Sequence, residues 1–121
     1  MKFIDQQPIY MQIADYFCEN ILLGNWKTHD RIPSVREIAV AMEVNPNTAM
    51  RAFNYLQDKG VIYNKRGIGY FVGEDGHSKA LKLKRGDFIE KEMPNFFKTM
   101  KLLKFSCKDL EELYENEKSN K

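Results

Sequence analysis

A short polar segment carries the side chains best suited to reading a nucleic acid. Asn47, Thr48 and Arg51 follow one another closely, and Met50 and Asn54 share their side of a helix. Amide and guanidinium groups form hydrogen bonds with base edges, and methyl groups contact thymine. The spacing therefore predicts a helix face that contacts bases or phosphates in a major groove. The alternative is an ordinary solvated helix start, in which Arg51 pairs with Asp58 or Asp30.

The neighbouring residues predict how this face is positioned. Asn45 is suited to cap the helix and Pro46 to occupy its first position. Advancing about 100° per residue places the apolar side chains on the opposite face. These are Ala49, Ala52, Phe53 and Leu56. Gly60 is expected to end the helix.

A second, shorter helix is predicted just before it. Ser34 and Glu37 have the spacing of a capping box. Apolar residues follow at helical spacing: Val35, Ile38, Ala39 and Met42. Two helices separated by so short a break predict a helix-turn-helix. Ser34 and Arg36 then lie at a helix start that faces the phosphates, although Arg36 could also be a solvated surface residue.

A β-hairpin is predicted after these helices. Residues 61–65 and 70–72 are rich in β-branched and aromatic side chains, with a glycine-containing turn between them. Lys65 and Arg66 supply positive charge, while Gly67 and Gly69 allow close approach to a phosphate or minor groove. The hairpin is interpreted as a wing, against the alternative of a simple turn.

An amphipathic helix is predicted before the helix-turn-helix. Pro8 is suited to its first position and Gly24 to its end. The apolar residues at spacings of three and four are Tyr10, Ile13, Ala14, Phe17 and Ile21. Trp26 is expected to anchor the loop that follows.

The C-terminal part is predicted to be helical again. Residues 73–76 are interpreted as a linker, residues 84–103 as a helix kinked or split at Pro94, and Ser106 as the cap of a last helix. The predicted dimer interface comprises Phe88, Ile89, Met93, Phe96, Phe97, Met100, Leu103, Leu110 and Leu113. The predicted domains are 1–76, which binds DNA, and 77–121, which dimerises. A ligand pocket in the second domain is the alternative, but so short a segment cannot form both a core and a sizeable cavity.

Composition limits the remaining functions. The chain has 121 residues and a formal net charge of +2, with six basic and three acidic side chains between residues 31 and 66. It has neither an apolar run of membrane-spanning length nor a signal peptide, so a cytoplasmic location is expected. Cys18 and Cys107 are expected to be reduced. No phosphate-binding loop, metal-ligand spacing or nucleophile motif is present, so neither an enzyme nor a cofactor or metal site is expected.

The sequence resembles the winged helix-turn-helix domain of the GntR family of bacterial transcription regulators, and its YtrA-like branch in particular. The resemblance rests on residues 8–14, 32–39, 44–48, 51–53, Leu56, Gly60, Ile62 and 66–72. It implies a dimer on a pseudo-palindromic operator, with Arg36 and the start of the third helix at the DNA. Two positions differ: His29 stands where the family usually has glycine, and Met50 where it often has a polar or basic residue.

Together these features predict a mainly α fold with a small β-hairpin: a winged helix-turn-helix followed by dimerisation helices. The predicted function is a homodimeric, sequence-specific transcription regulator, with repression favoured over activation. The alternative is a winged-helix module that binds proteins and not DNA. A small-molecule effector has no support in the sequence, which identifies neither the operator nor the regulated genes.

Overall fold

A computed structural model describes residues 7–119 of the chain. These residues form two compact units, which divide between Lys84 and Arg85. The predicted boundary between residues 76 and 77 falls eight residues earlier, at the start of a helix. The elements are α1 (Ile9–Leu22), α2 (Val35–Met42), α3 (Pro46–Asp58), β1 (Ile62–Lys65), β2 (Gly69–Val72), α4 (Gly76–Asp87), a π turn (Phe88–Glu92), α5 (Met93–Leu102) and α6 (Cys107–Ser119).

The core of the first unit lies where α1, α2 and α3 meet. The apolar faces predicted for these helices are the buried ones, and Phe53 lies at the centre with no exposed surface. Its ring makes edge-to-face contacts with Phe17 at 5.1 Å and Tyr70 at 4.7 Å between ring centres. Phe53 therefore joins α3 to both α1 and the hairpin. Trp26 packs edge-to-face on Phe17 at 5.0 Å, as expected of the loop anchor.

The predicted helix ends are confirmed with one small correction. Pro8 lies at the N-cap of α1 and not at its first helical position. Gly24 and Gly60 follow their helices with φ of +85° and +80°, values that glycine adopts without a steric cost. Glu43 ends α2 in the left-handed region with φ of +55°, which turns the chain sharply toward α3.

The hairpin is confirmed and is extended by a third short segment. β1 and β2 pair antiparallel, with Ile62 opposite Val72 and Lys65 opposite Gly69. Arg31 forms an isolated antiparallel bridge with Phe71. The chain before α2 is therefore hydrogen-bonded to the wing, which fixes the wing relative to the helix-turn-helix.

The predicted linker at residues 73–76 is wrong. Gly73 and Gly76 are buried, and α4 begins at Gly76. A Cβ on Gly76 would lie 2.7 Å from both the Val61 carbonyl oxygen and Val72 Cγ1. The glycine was assigned to a linker, whereas it allows the helix start to pack against the hairpin. Ala80, one turn later, is completely buried in the same core.

The second unit is helical throughout its described part, apart from the short connection before α6. A π turn precedes α5, and Pro94, which has no N–H to donate within the helix, lies in the first turn of α5. The helix expected from residue 84 thus belongs to a longer helical stretch interrupted by that π turn. Ser106 and Asp109 form the predicted cap of α6, with reciprocal hydrogen bonds of 2.9 and 3.0 Å.

Candidate nucleic-acid interface

The start of α2 is fixed by a reciprocal cap. The Ser34 hydroxyl accepts from the Glu37 N–H at 3.1 Å, and Glu37 Oε1 accepts from the Ser34 N–H at 2.8 Å. The hydrogen bond from the Ser34 backbone, followed by that of its side chain and the charge of Arg31, lowers the pKa of Glu37 below its ordinary 4.5. Arg36 is exposed in this first turn. Ser34 thus positions the turn, while Arg36 is the side chain free to reach an anion.

The start of α3 presents a polar surface without bulky groups. Asn45 caps the helix, because its Oδ1 accepts from the Asn47 N–H at 2.7 Å, and Pro46 occupies the first position. Asn47, Arg51 and Asn54 are exposed and Thr48 is half-buried. The opposite face, from Ala49 to Leu56, is completely buried. The structure therefore places these predicted site residues together on the outward side of α3, as amphipathic spacing required.

Met50 lies on the same surface with 39% of its area exposed. Its thioether can make apolar contact with a thymine methyl but donates no hydrogen bond. Met50 is thus suited to apolar contact with a base, at a position where a polar residue would form hydrogen bonds.

Arg51 has a partner that the sequence analysis missed. Its guanidinium carbon lies 4.1 Å from the centre of the Tyr10 ring. Tyr10 in turn makes an edge-to-face contact with Tyr55, at 6.2 Å between ring centres. Among residues 7–119, no ion pair joins Arg51 to Asp58 or Asp30. The alternative of a surface ion pair is therefore wrong; an aromatic platform on α1 holds the guanidinium.

The wing turn brings its predicted residues close together. The Ile68 N–H donates to the Lys65 carbonyl at 2.8 Å, and Gly67 between them has φ of +80°, as a type II turn requires. Arg66 is exposed at the tip. The ammonium of Lys65 lies 5.3 Å from the centre of the Phe71 ring. The turn is thus fixed by a hydrogen bond, and it carries the positive charges of Lys65 and Arg66.

Arg31 also belongs to this surface, although the sequence analysis counted it only as local charge. A Cβ on Gly69 would lie 2.9 Å from Arg31 Nε and 3.4 Å from Nη2. The guanidinium therefore lies across the wing at Gly69. Gly67 and Gly69 have different roles: Gly67 forms the turn, and Gly69, with φ of +149°, leaves room for this side chain. The indication that the sequence offered was its place at the start of the basic stretch between residues 31 and 66.

His29, which stands where the family usually has glycine, has an unusual backbone conformation. It has φ of +69°, in the left-handed region that glycine occupies most easily. Its ring nitrogens lie 3.1 Å from the Tyr63 hydroxyl and 3.1 Å from a Glu74 carboxylate oxygen. These contacts link the loop before α2 to β1 and to the residues just beyond β2, at the open end of the hairpin.

In the second unit, the predicted interface residues are mostly exposed apolar side chains. Phe88, Ile89, Phe96, Phe97, Leu103 and Leu113 are exposed, and Met93 and Leu110 are half-buried. Met100 is the exception, because it is buried within the single chain. Leu102 and Tyr114, which the sequence analysis did not assign to the interface, are exposed as well.

Other kinds of site have no counterpart in residues 7–119. No cluster of three or more histidine, cysteine, aspartate or glutamate side chains could hold a metal ion there. None of the helices described is long and apolar enough to span a membrane. Cys18 is buried and Cys107 is exposed.

Sequence comparison connects this architecture with known regulators. The family model described as "Bacterial regulatory proteins, gntR family" matches residues 9–72. The transcriptional repressor YtrA of Bacillus subtilis is 41% identical over 68 residues, which is 56% of this chain and 52% of YtrA. The match covers 60% of the length of the regulator YhcF and 52% of YtrA, and less than a third of the repressor of histidine utilization from Klebsiella aerogenes.

Structural comparison covers more of the molecule. A putative GntR-family regulator from Bacteroides thetaiotaomicron superposes with a TM-score of 0.78 at 43% identity, over 93% of this chain and 98% of that one. The DNA-binding domain of AraR, solved in complex with operator ORR3, superposes with a TM-score of 0.58 at 25% identity. That match covers 60% of this chain and 88% of the AraR domain. The winged helix-turn-helix with appended C-terminal helices is thus confirmed.

Proposed function

The chain belongs to the GntR family of bacterial regulatory proteins, and from this membership we propose that it is a cytoplasmic transcription repressor binding operator DNA as a homodimer. The observation that carries the proposal is the outward face of α3. Polar side chains project from the start of α3, where no bulky side chain keeps the backbone away from a groove. The wing lies beside this helix. This is the arrangement by which a recognition helix enters a major groove. No catalytic role is part of the proposal.

Each part of the surface has a distinct proposed role. Asn47 and Arg51 bind base edges, and Thr48 and Met50 contact methyl groups. Arg36, Lys65 and Arg66 bind phosphates, which supply most of the affinity and make it salt-dependent. Asn45 and Ser34 position the helix starts, since their side-chain oxygens are already engaged as caps.

Homodimerisation is proposed for the second unit. Its exposed aromatic and aliphatic side chains form an apolar surface on the π turn, α5 and α6. A symmetric partner would remove that surface from water. Two α3 helices would then bind half-sites about one helical turn of DNA apart, on one face of the duplex.

The test is fluorescence anisotropy with duplex DNA from the promoter of the chain's own operon. The double variant Arg36→Ala/Arg51→Ala should lose tight binding and keep its circular dichroism spectrum. The affinity of the wild-type chain should fall steeply as salt rises, because bound cations are released from the phosphates. Unchanged affinity in the double variant would remove the groove-binding mechanism, and a wild-type chain that does not bind the duplex would favour a protein-interaction module.

A further inference from the structure

We propose that Arg31 binds a phosphate of the DNA backbone between the groove that receives α3 and the groove beside the wing. The proposal rests on the proposed DNA-binding function and adds a residue to it. Three observations support it: the backbone of Arg31 is fixed, its side chain has a space kept open for it, and its guanidinium donors are unpaired.

The backbone on both sides of Arg31 is bound to β2. The Ile32 N–H donates to the Tyr70 carbonyl at 2.9 Å, and the Val72 N–H donates to the Asp30 carbonyl at 3.0 Å. These bonds and the isolated bridge to Phe71 hold the backbone of this short segment against β2. A side chain on such a segment starts from a fixed Cα, so less conformational entropy is lost when its tip binds a ligand.

The guanidinium occupies a space that only glycine leaves free. Any side chain on Gly69 would place its Cβ 2.9 Å from Arg31 Nε and 3.5 Å from Cζ. Any other residue type at position 69 would also be strained by the φ of +149° found there. Gly69 therefore allows Arg31 to lie along the surface of the wing, at the turn that carries Lys65 and Arg66.

The guanidinium donors remain available. Arg31 is exposed, and among residues 7–119 its side chain makes neither an ion pair nor a hydrogen bond. Glu37 is close enough for the charge of Arg31 to help lower its pKa, but that carboxylate already accepts from the Ser34 N–H. An exposed guanidinium with a fixed stem and free donors is suited to bidentate binding of a phosphate.

The position of Arg31 favours a phosphate over a base. The guanidinium lies over Gly69 in the wing, and the residue comes three positions before Ser34, the cap of the helix that precedes α3. With α3 in the major groove and the wing at the adjacent groove, the surface between them faces the sugar–phosphate strand. Arg31 should therefore contribute to affinity without contributing to sequence preference.

Two fluorescent duplexes test this prediction: one selected from a random library with the wild-type chain, and one of random sequence and equal length. Arg31→Ala should weaken binding to both by about tenfold, as expected for one charged hydrogen-bonding group. The slope of log affinity against log salt should become shallower by about 1. Arg31→Lys should restore the slope, because it restores the charge, but only part of the affinity.

The matched control is Arg85→Ala, which removes the same charge from the second unit. Arg31→Gln keeps much of the aliphatic stem over Gly69, so it separates loss of charge from loss of packing if Arg31→Ala lowers the melting temperature. The proposal is overturned if Arg31→Ala and Arg31→Gln bind like Arg85→Ala, or if only the selected duplex is affected. A wild-type chain that binds neither duplex would overturn the proposed function together with this inference.

Discussion

The guanidinium carbon of Arg51 lies 4.1 Å from the centre of the Tyr10 ring, so the first helix supports the side chain proposed to read the operator. A cation over an aromatic face gains about 0.5–1 kcal/mol at an exposed site. More important for binding, the ring restricts a side chain that would otherwise lose rotamer entropy on reaching DNA. Tyr10 is thus a positioning residue for Arg51.

Replacing Tyr10 should weaken operator binding through Arg51. We expect Tyr10→Leu to reduce affinity by roughly three- to tenfold, because leucine fills part of the space but offers no aromatic face. Tyr10→Phe keeps the face and should bind like the wild-type chain. Fluorescence anisotropy measures the affinities. In an Arg51→Ala background, Tyr10→Leu should have little further effect; a full additional loss would show that Tyr10 acts independently.

Phe53 should be among the most important side chains for the stability of the first unit. It is completely buried and contacts Phe17 and Tyr70, on α1 and β2. Phe53→Ala should lower the free energy of unfolding by about 3–5 kcal/mol, because it leaves a cavity where three elements meet. Chemical denaturation followed by circular dichroism measures the loss. The control Asn54→Ala is exposed on the same helix and should change stability by less than about 0.5 kcal/mol.

The cap of α2 should make stability depend on pH in the acidic range. Hydrogen bonds from Ser34 lower the pKa of Glu37 below 4.5 in the folded chain, so the carboxylate favours folding above that pH. The contribution should be lost as the pH falls through the lowered pKa. Glu37→Gln keeps an acceptor but does not titrate. The wild-type chain should therefore melt higher than the variant at neutral pH, and this difference should shrink below 4.5.

An unchanged difference in melting temperature between neutral and acidic pH would contradict this role of Glu37. Ser34→Ala removes the partner and should cost about 1 kcal/mol, as for other N-cap serines. Applied to Ser34→Ala, the Glu37→Gln change should have a much smaller pH-dependent effect, since the two side chains form one cap.

The helix-turn-helix could be predicted from the sequence because residues close together in the chain determine where its helices begin. Ser34 with Glu37, and Asn45 with Pro46, define two helix starts within the sequence itself. The buried face of α3 follows from its period alone. These features depend on contacts between residues a few positions apart, which a single sequence displays directly.

The failures involve contacts between distant residues. Gly76 was assigned to a linker because nothing near it shows that Val61 and Val72 would pack on its Cα. Tyr10 and Arg51 are about forty residues apart, so periodicity placed one in the core and the other at the surface without joining them. Arg31 and Gly69 are also far apart in the sequence, and the bridge between Arg31 and Phe71 brings them together.

The proposed dimer depends on apolar side chains that the single chain leaves in water. Phe96 and Phe97 in α5 are each 45% exposed, and their rings contact each other at 6.3 Å between centres. Adjacent residues on a helix diverge by about 100°, so together they cover a broad strip of α5. A carboxylate placed in such an interface would be buried without a partner, which is strongly unfavourable.

We therefore expect Phe97→Glu to convert the dimer into a monomer at micromolar concentration, as measured by sedimentation velocity. The control Gln57→Glu changes the net charge equally at an exposed position of the first unit and should remain dimeric. The monomeric variant should still bind a single half-site weakly, because α3 and the wing are intact. It should lose the tighter binding to two half-sites, which depends on linkage of the two recognition helices. A Phe97→Glu chain that sediments as a dimer would place the interface elsewhere.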